Sequence, residues 1–261
     1  MTSSSGPLLG LLETSVLPFR ETVQYAAMSD LALSYQVLEA DVVQAESYAS
    51  EAEREGKLEF GLTVDELASI RFYTQKENSF YLVMNRSLRR GDAAAFLPYL
   101  KLLLSGMTRL PSGPRRVFRS IDKNDDQVLT WWALTSTSIS LQSVVQDPFL
   151  KDGNGTIFSI ETDSGVNIGR FSYVQSEEEI LLFPGTTFKV KGEVRIQNMP
   201  MKQLVEVANP GFDIFPRPRD VRPCSFFFPL FDPFEFHHHS IGTFESTIPG
   251  TICLEDILAP L

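Results

Sequence analysis

The pattern of hydrophobic and polar positions changes near Pro114. Before this residue, apolar positions recur at the spacing of an amphipathic helix, as Ala26, Leu38 and Val42 do within residues 21–55. After it, short runs alternate between apolar and polar positions, which is typical of strands. A helical half followed by a strand-rich half predicts an α+β fold rather than a parallel α/β fold.

The predicted helices differ in how clearly their ends are marked. Thr63 is a good N-cap residue, and Glu66 three positions later completes the pattern of a capping box. Gly56 marks the end of an earlier helix after a polar, acidic stretch. The pattern predicts helices over residues 21–55, from 63 through 73, over 80–89 and over 93–104.

A polar turn over residues 122–127 separates the first two predicted strands. Its Asp122, Asn124 and Asp126 imitate the start of a calcium loop, but the sixth position is not Gly and Ala133 stands where the twelfth-position Glu should be. Calcium binding is therefore not predicted. The strands are predicted over residues 117–121, 129–138, 155–161, 179–183, 187–193 and 201–207.

Composition and charge exclude several kinds of site. Of the 261 residues, 43% are hydrophobic, which is enough for a sizeable core. The formal net charge of −10 argues against a nucleic-acid partner, because phosphate binding depends on Lys and Arg. Cys224 and Cys253, bridged or free, form no metal-ligand cluster, and the adjacent histidines 237–239 cannot all bind one metal in regular structure. We therefore predict no metal.

The N-terminal residues 1–20 read as a loosely ordered lead broken by prolines. They lack the basic region and the long apolar region of a secretory signal. No stretch of the chain approaches the length of about 20 apolar residues that a membrane span needs. The sequence predicts a cytoplasmic protein, or one exported as an effector without a conventional signal peptide, and no membrane span.

The chain from Asn209 onward is crowded with Phe and Pro. This composition is typical of neither a helix nor a flexible linker. So much aromatic surface must be covered by something. The tail is therefore either an extended arm packed on its own domain or an arm that binds a partner.

Three adjacent glutamates, residues 177–179, run directly into the apolar segment 180–183. In an extended chain residues i and i+2 point to the same side, so Glu177 and Glu179 face one place and Glu178 faces away. Such a pair of carboxylates suits chemistry in which positive charge develops on a sugar carbon. A solvated acidic loop is the alternative.

Two other segments favour the catalytic pair of carboxylates over the solvated acidic loop. Arg119 lies among apolar neighbours in a predicted strand, and a guanidinium so placed needs an ion-pair partner or an anion such as phosphate. In the second segment Ser136 and Ser138 share one face of a strand and Thr137 the other. A hydroxyl there can donate to a carboxylate and fix its orientation, although Ser/Thr-rich strands are also common without such a role.

A strand Arg, then Ser-Thr-Ser, then Glu-x-Glu entering Ile-Leu-Leu-Phe-Pro-Gly resembles the mono-ADP-ribosyltransferases of the Arg-Ser-Glu class, which include cholera-toxin-like enzymes and vertebrate ecto-enzymes. Residues 62–74 and 84–89 are similar to the helices that precede the Arg strand in that family. The resemblance covers roughly residues 60–207. It implies a helical N-terminal half followed by two packed antiparallel-rich β-sheets around an NAD cleft.

The resemblance also implies roles for single residues. Arg119 would hold the phosphates and ribose side of NAD, and Ser136 would orient Glu179. Glu179 would bond the nicotinamide ribose and stabilise an oxocarbenium-like transition state. Ser120 stands where the family often has Gly, so a side chain lies where nicotinamide meets the backbone. The implied NAD contacts are Arg119, Ser120, Ser136, Thr137, Ser138, Phe149 and Glu179.

The resemblance implies a loop that meets the target protein over residues 171–177, beginning at Phe171 and carrying an exposed Tyr173. Glu177 matches the first Glu of the Glu-x-Glu motif, which accompanies arginine-directed transfer in the family. We therefore predict transfer of ADP-ribose from NAD to a protein side chain, most simply arginine. The alternatives are an NAD glycohydrolase and an inactive interaction module that uses the Phe-rich arm.

These observations divide the chain into three predicted regions. Residues 1–55 form an N-terminal lead and helical extension, residues 56–207 form the catalytic domain, and residues 208–261 form the Phe/Pro-rich arm. The predicted partner is a target protein that accepts ADP-ribose.

Overall fold

Helices fill the first half of the chain and strands the second, in a computed structural model of the protein. The α+β class that the hydrophobic pattern predicts is confirmed. The structure describes residues 6–75, 79–121, 129–145, 155–173, 179–196 and 199–207.

The helical half has one more break than the sequence predicts. The single helix predicted over residues 21–55 is wrong, because the chain becomes extended at Asp30, where φ is −124° and ψ is 115°. The Asp30 carboxylate accepts from the N–H of Ala32 at 2.9 Å, a local bond that competes with helix continuation. The described helices are η1 (Gly6–Leu8), α1 (Phe19–Ser29), α2 (Tyr35–Arg54), α3 (Val64–Tyr73), α4 (Phe80–Arg90), η2 (Ala94–Phe96) and α5 (Leu97–Arg109).

The predicted capping box at the start of α3 is confirmed. The Thr63 hydroxyl accepts from the N–H of Glu66 at 3.2 Å, and the Glu66 carboxylate accepts from the N–H of Thr63 at 2.9 Å. The other carboxylate oxygen of Glu66 accepts from Ser105 at 2.7 Å and from Arg109 at 3.0 Å. The cap therefore also attaches α3 to α5.

The second half forms a mixed sheet in the order β2-β7-β8-β4-β1-β3-β6-β5, in which only the β4–β8 pair is parallel among the described strands. The single strand predicted over residues 129–138 is wrong, because its two parts pair at different places in the sheet, β2 with β7 and β3 with β6. The elements are β1 (Arg115–Ile121), β2 (Leu129–Trp131), β3 (Thr135–Ser138), α6 (Leu141–Val145), β4 (Thr156–Thr162), β5 (Val166–Asn167), β6 (Glu179–Leu182), β7 (Thr186–Ile196) and β8 (Met199–Val207).

The resemblance implies two packed antiparallel-rich sheets, and the described strands show how β1 joins the two parts into one connected sheet. On one side β1 pairs with β4 along its whole length, from Arg115 opposite Thr162 to Ile121 opposite Thr156. On the other side it meets β3 in register at Phe118 and Ser138. The strands therefore belong to one connected sheet, and the short contact between β1 and β3 is where its five-stranded and three-stranded parts join.

Alternate residues of β6 pack into different cores. Leu181 belongs to the cluster that the helices build, whereas Ile180 and Leu182 belong to a second cluster with Val117 and Phe158. Because side chains alternate along a strand, Glu179 shares the side of Leu181 and faces the helical half. The fold thus places the first residue of β6, Glu179, on the side of the sheet that faces the helices.

Several predicted features lie outside the described residues. They include the calcium-like segment 122–127, the tail from residue 208, Phe149 and Glu177. None of the helices that the structure describes has the length and apolar character to cross a membrane.

Candidate active site

Arg119, the serines of β3 and Glu179 come together where β1, β3 and β6 adjoin. The Arg119 side chain donates through Nη1 to the backbone carbonyl of Ser136. Ser138 lies directly opposite Glu179 in the β3–β6 ladder, and opposite Phe118, the neighbour of Arg119, on β1. Residues separated by up to 60 positions in the sequence thus share one small region.

The three hydroxyl residues of β3 that the sequence singles out have different surroundings. Thr137 is buried, and its hydroxyl donates to the carbonyl of Ile180 at 2.7 Å, which ties β3 to β6. Ser136 is exposed and Ser138 is half-buried on the opposite face. The hydroxyl of Ser138 accepts from the N–H of Ser140 at 3.0 Å and so takes part in the turn before α6.

Register determines which serine stands opposite Glu179. Ser138 is its direct partner, whereas Ser136 is opposite Leu181. Ser136 is therefore a diagonal neighbour on the same face, at a typical separation of about 7–8 Å between backbone positions, which is within reach of a long side chain. The predicted role of Ser136 in orienting Glu179 stays a prediction.

The backbone of Glu179 is fixed by strands on both sides. Residues of β6 pair with β3 on one side and with β5 on the other, and the Glu179 carbonyl accepts from the N–H of Ile168 at 3.1 Å. Glu179 itself is half-buried, on the side of the sheet that faces the helices. Because this backbone is already ordered, little backbone conformational entropy is lost when Glu179 binds a ligand.

Tyr73, the last residue of α3, is not among the predicted site residues, but its phenol is affected by the charges of two of them. Burial raises its pKa, against the lowering effect of the Asn85 amide, which donates to the phenol oxygen at 3.2 Å. The charge of Glu179 raises the same pKa further, and the charge of Arg119 lowers it. The phenol therefore lies within electrostatic reach of both predicted site residues.

Asn85 is the second residue that sequence reasoning missed. It lies on the buried face of α4 beside Met84 and Leu88, and it is 8% exposed. Within the described part of the chain its Oδ1 has no hydrogen-bond partner, which is costly for a buried amide oxygen. A polar amide on an apolar helical face was the signal available in the sequence. The orphaned acceptor fits a ligand that carries an N–H or O–H donor.

The predicted target-facing segment is divided between core and surface. Phe171 is 6% exposed, and its ring packs edge-on to that of Phe60 with 6.4 Å between the ring centres. Its side chain is therefore part of the core and does not offer a target-contact surface. Tyr173 is 38% exposed, in line with the predicted exposure. Ser120 is half-buried on β1, opposite Ile157.

The described residues contain no group of three His, Cys, Asp or Glu side chains that could hold a metal ion. Both cysteines and all three histidines lie outside those residues.

The chain matches a family model in sequence. The model is that of the NAD:arginine ADP-ribosyltransferases, and the match covers residues 19–208, which includes α1 and α2 as well as the sheet. No curated protein matches the chain by sequence.

Solved structures of ADP-ribosyltransferases share the fold. A eucaryotic mono-ADP-ribosyltransferase, ART2.2, is 20% identical with a TM-score of 0.55, over 78% of this chain and 90% of that chain. The type III effector XopAI from Xanthomonas axonopodis pv. citri is 16% identical with a TM-score of 0.53, over 76% and 92%. The ADP-ribosyltransferase HopU1 of Pseudomonas syringae pv. Tomato DC3000 is 18% identical with a TM-score of 0.52, over 72% and 96%.

The architecture of this chain, helices followed by a mixed sheet, agrees with the fold of these ADP-ribosyltransferases. By the family match, which spans most of its length, the chain belongs to the NAD:arginine ADP-ribosyltransferase family and is an NAD-dependent ADP-ribosyltransferase.

Proposed function

We propose that this enzyme transfers ADP-ribose from NAD to an arginine side chain of a target protein. The observation that carries the proposal is the position of Glu179, fixed at the head of β6 on the side that faces the helices, with Arg119 and the serines of β3 beside it. The family description names arginine as acceptor. The two alternatives, NAD hydrolysis alone and an inactive binding module, are not favoured by the comparisons.

The residues present fit NAD as the donor substrate. Arg119 offers a cationic fork suited to phosphates, and its bond to the Ser136 carbonyl orients that fork. The orphaned Oδ1 of Asn85 can accept from an N–H or O–H of the same ligand. When bound, NAD supplies a ribosyl group joined to a nicotinamide leaving group.

Glu179 supplies the negative charge that the reaction requires. Positive charge grows at the ribose carbon as its bond to nicotinamide breaks, and a fixed carboxylate attracts the transition state more than the ground state. We assign this role to Glu179, because the strands on both sides already hold its backbone in place.

Glu177 is the proposed acceptor-side carboxylate. An arginine acceptor is charged at neutral pH, so it must lose a proton as its nitrogen attacks. Glu177 precedes Glu179 by two positions and would share its side in extended chain. It can therefore position the guanidinium and take its proton.

The two glutamates are tested separately with Glu179→Gln and Glu177→Gln. Nicotinamide release measures NAD cleavage, and incorporation of labelled ADP-ribose into agmatine, a small guanidine, measures transfer. We expect Glu179→Gln to lower both by at least about 100-fold, because one fixed transition-state contact is lost. Glu177→Gln is expected to lose transfer and retain nicotinamide release.

Thermal unfolding of each variant serves as the control for folding. Full activity of a folded Glu179→Gln enzyme would exclude Glu179 as the catalytic carboxylate. Equal loss of both reactions in Glu177→Gln would show that Glu177 does not act on the acceptor alone.

We also propose that the enzyme acts inside a cell, either the one that makes it or one into which it is exported as an effector. The structurally similar XopAI is described as a type III effector. Fractionation of a tagged chain, followed by location of the modified protein, separates the two cases.

A further inference from the structure

Large apolar side chains are exposed where α1 is connected to α2. Tyr25 and Met28 lie one turn apart on α1 and are 47% and 84% exposed. Leu31, in the connection, is fully exposed, and Val37, in the first turn of α2, is 73% exposed. Leu33 of the same connection is buried in the core, which anchors this part of the chain. Tyr25, Met28, Leu31 and Val37 together are called the α1–α2 patch.

The fold itself makes little use of the α1–α2 patch. The core cluster that the helices build takes Val23 and Ala26 from α1 and Leu38 and Val42 from α2, and it includes no residue of the patch. Single apolar residues on a surface are ordinary, but a group of them at one place is typical of an interaction site. The patch is therefore a candidate surface for a partner.

The same part of the chain carries one sign of charge. Residues 21–53 contain seven carboxylates and no Lys, Arg or His. Glu21, Asp30 and Glu39 lie near the patch in sequence, and none of them makes an ion pair with another residue of the described part of the chain. Arg20, just before this stretch, is paired with Glu46. The patch thus lies in a negative electrostatic field.

This charge decides between the kinds of partner. A second copy of the chain would bring the same carboxylates against each other, and an anionic lipid surface would repel them. A partner strand would need an open strand edge to pair with, and α1 and α2 offer none. A helix satisfies its own backbone hydrogen bonds and can place an apolar stripe on an apolar surface. The partner that fits is therefore helical and cationic.

We propose that the α1–α2 patch binds a cationic amphipathic helix of another protein. The apolar stripe of that helix covers Met28 and Leu31, and its Lys or Arg side chains meet Asp30 and Glu39. The patch contains no residue of the proposed NAD site, so it serves to recognise a partner and takes no part in the chemical step. The proposal thus goes beyond the transferase function.

The probe for this surface is a fluorescein-labelled peptide of leucine and lysine, with leucine at the i, i+3, i+4 and i+7 positions of a helix. A second peptide, with glutamate in place of every lysine, has the same apolar stripe and the opposite charge. Fluorescence anisotropy with the full chain measures the binding of each peptide. We expect the leucine–lysine peptide to bind saturably and more weakly as salt is added, and the leucine–glutamate peptide not to bind. No binding of the first peptide, or equal binding of both, would overturn the proposal.

Leu31→Ser tests the apolar part of the surface. Because Leu31 is fully exposed, the substitution should leave thermal unfolding and agmatine modification at their wild-type values. We expect it to weaken peptide binding by about 10- to 100-fold, since burying one leucine side chain has an effect of that order.

The matched control is Leu12→Ser. Leu12 is also exposed, but it lies in the chain before α1, where the Lys101 ammonium donates to its carbonyl at 2.7 Å. This control should bind the peptide like wild type. Unchanged binding by Leu31→Ser, or an equal loss in Leu12→Ser, would show that the peptide does not bind at the α1–α2 patch.

Glu39→Lys tests the electrostatic part of the surface. We expect it to weaken binding of the leucine–lysine peptide by about 3- to 10-fold, because an attraction is replaced by a repulsion at an exposed position. Glu193→Lys, at an exposed position of β7, makes the same change in net charge and serves as its control. Equal losses in the two variants would show that net charge alone attracts the peptide, which would contradict the proposal.

Two measurements test the other occupants. Sedimentation velocity detects self-association, and co-sedimentation with phosphatidylserine vesicles detects lipid binding; we expect neither. A wild-type dimer that Leu31→Ser abolishes would assign the patch to a second copy, and vesicle binding that Leu31→Ser abolishes would assign it to a lipid surface. Either result would overturn the proposed partner. The binding measurements use no NAD, so their failure is distinguishable from a failure of the proposed transferase function.

Discussion

At the scale of single residues, alternation along strands fixes the face of a side chain but not its partner. The sequence places Ser136 and Ser138 on one face, and the structure agrees. It cannot decide which of the two stands opposite Glu179, because a shift of two residues preserves every face and changes every partner. The register that pairs Ser138 with Glu179 depends on contacts made elsewhere in the sheet.

Tyr73 and Asn85 illustrate a second limit at this scale. Tyr73 ends a helix that is buried along most of its length, and Asn85 lies on the buried, mostly apolar face of α4, which made packing the simpler interpretation. The proximity of Tyr73 to Glu179 and Arg119, and the bond of Asn85 to Tyr73, arise only when the chain folds. Helical periodicity alone does not contain that information.

The two serines provide a prediction for this scale. We expect Ser136→Ala to lower NAD cleavage by about 10- to 100-fold, because the predicted hydrogen bond from the Ser136 hydroxyl to the Glu179 carboxylate would be lost. Ser138→Ala should have the smaller effect, since the N–H of Ser140 holds the Ser138 hydroxyl oxygen toward the turn before α6. Initial rates of nicotinamide release test this, and the reverse order would assign the orienting role to Ser138.

At the scale of elements, the ends of helices and strands that are marked by capping residues were predictable from the sequence. The ends that depend on pairing with strands distant in sequence were not. The box of Thr63 and Glu66 is a local signal, and it marks the start of α3 correctly. The break between β2 and β3 has no comparable signal, because it is caused by pairing with β7 on one side and β6 on the other. The break at Asp30 lies between the two cases, since Asp can end a helix but often does not.

The contact of α3 with α5 gives a prediction about an element. A Cβ at Gly106 in α5 would stand 3.1 Å from the Cβ of Glu66 and 3.3 Å from Cδ1 of Ile70. Alanine normally stabilises a helix relative to glycine by about 1 kcal/mol. Here we expect Gly106→Ala to lower the free energy of unfolding by about 1–3 kcal/mol, because α3 must move away.

Urea unfolding of Gly106→Ala beside Gly113→Ala measures this effect. A Cβ at Gly113 meets no atom within 4 Å, so that control should unfold at the wild-type urea concentration or above it. Because α3 ends at Tyr73, whose phenol is within electrostatic reach of Glu179 and Arg119, a displaced α3 should reduce activity in the folded Gly106→Ala protein. A Gly106→Ala protein more stable than wild type would show that α3 and α5 can accommodate the added methyl group without moving apart.

At the scale of the whole molecule, the class of fold was predictable and the connection of the sheet was not. The change from helical to alternating periodicity near Pro114 predicts α+β on its own. That all the described strands form one sheet depends on the short contact of β1 with β3 at Phe118 and Ser138, which no local pattern marks. The same contact brings Arg119 to the site, so the unpredictable part of the fold is also the part that assembles the chemistry.

The stability of the whole fold should depend on the ionisation of Glu206, near the end of β8. Its carboxylate accepts from the Thr162 hydroxyl at 2.6 Å and from the N–H groups of Asp163 and Ser164 at 2.9 and 3.0 Å. Burial alone raises the pKa of Glu206, but these bonds outweigh it and the pKa is lowered overall. The carboxylate thus joins β8 to the turn between β4 and β5 in its charged form.

A group whose pKa is lower in the folded state stabilises the fold at pH values above its unfolded pKa. That stabilisation is lost as the pH falls through the folded pKa. We therefore expect Glu206→Gln to lower the free energy of unfolding at neutral pH by about 1–3 kcal/mol. The difference in the free energy of unfolding between this variant and wild type should become smaller as the pH is lowered. Urea unfolding at neutral and acidic pH measures this, with the exposed Glu193→Gln as control. Parallel pH profiles of wild type and Glu206→Gln would show that the Glu206 carboxylate does not control the acid stability of the sheet.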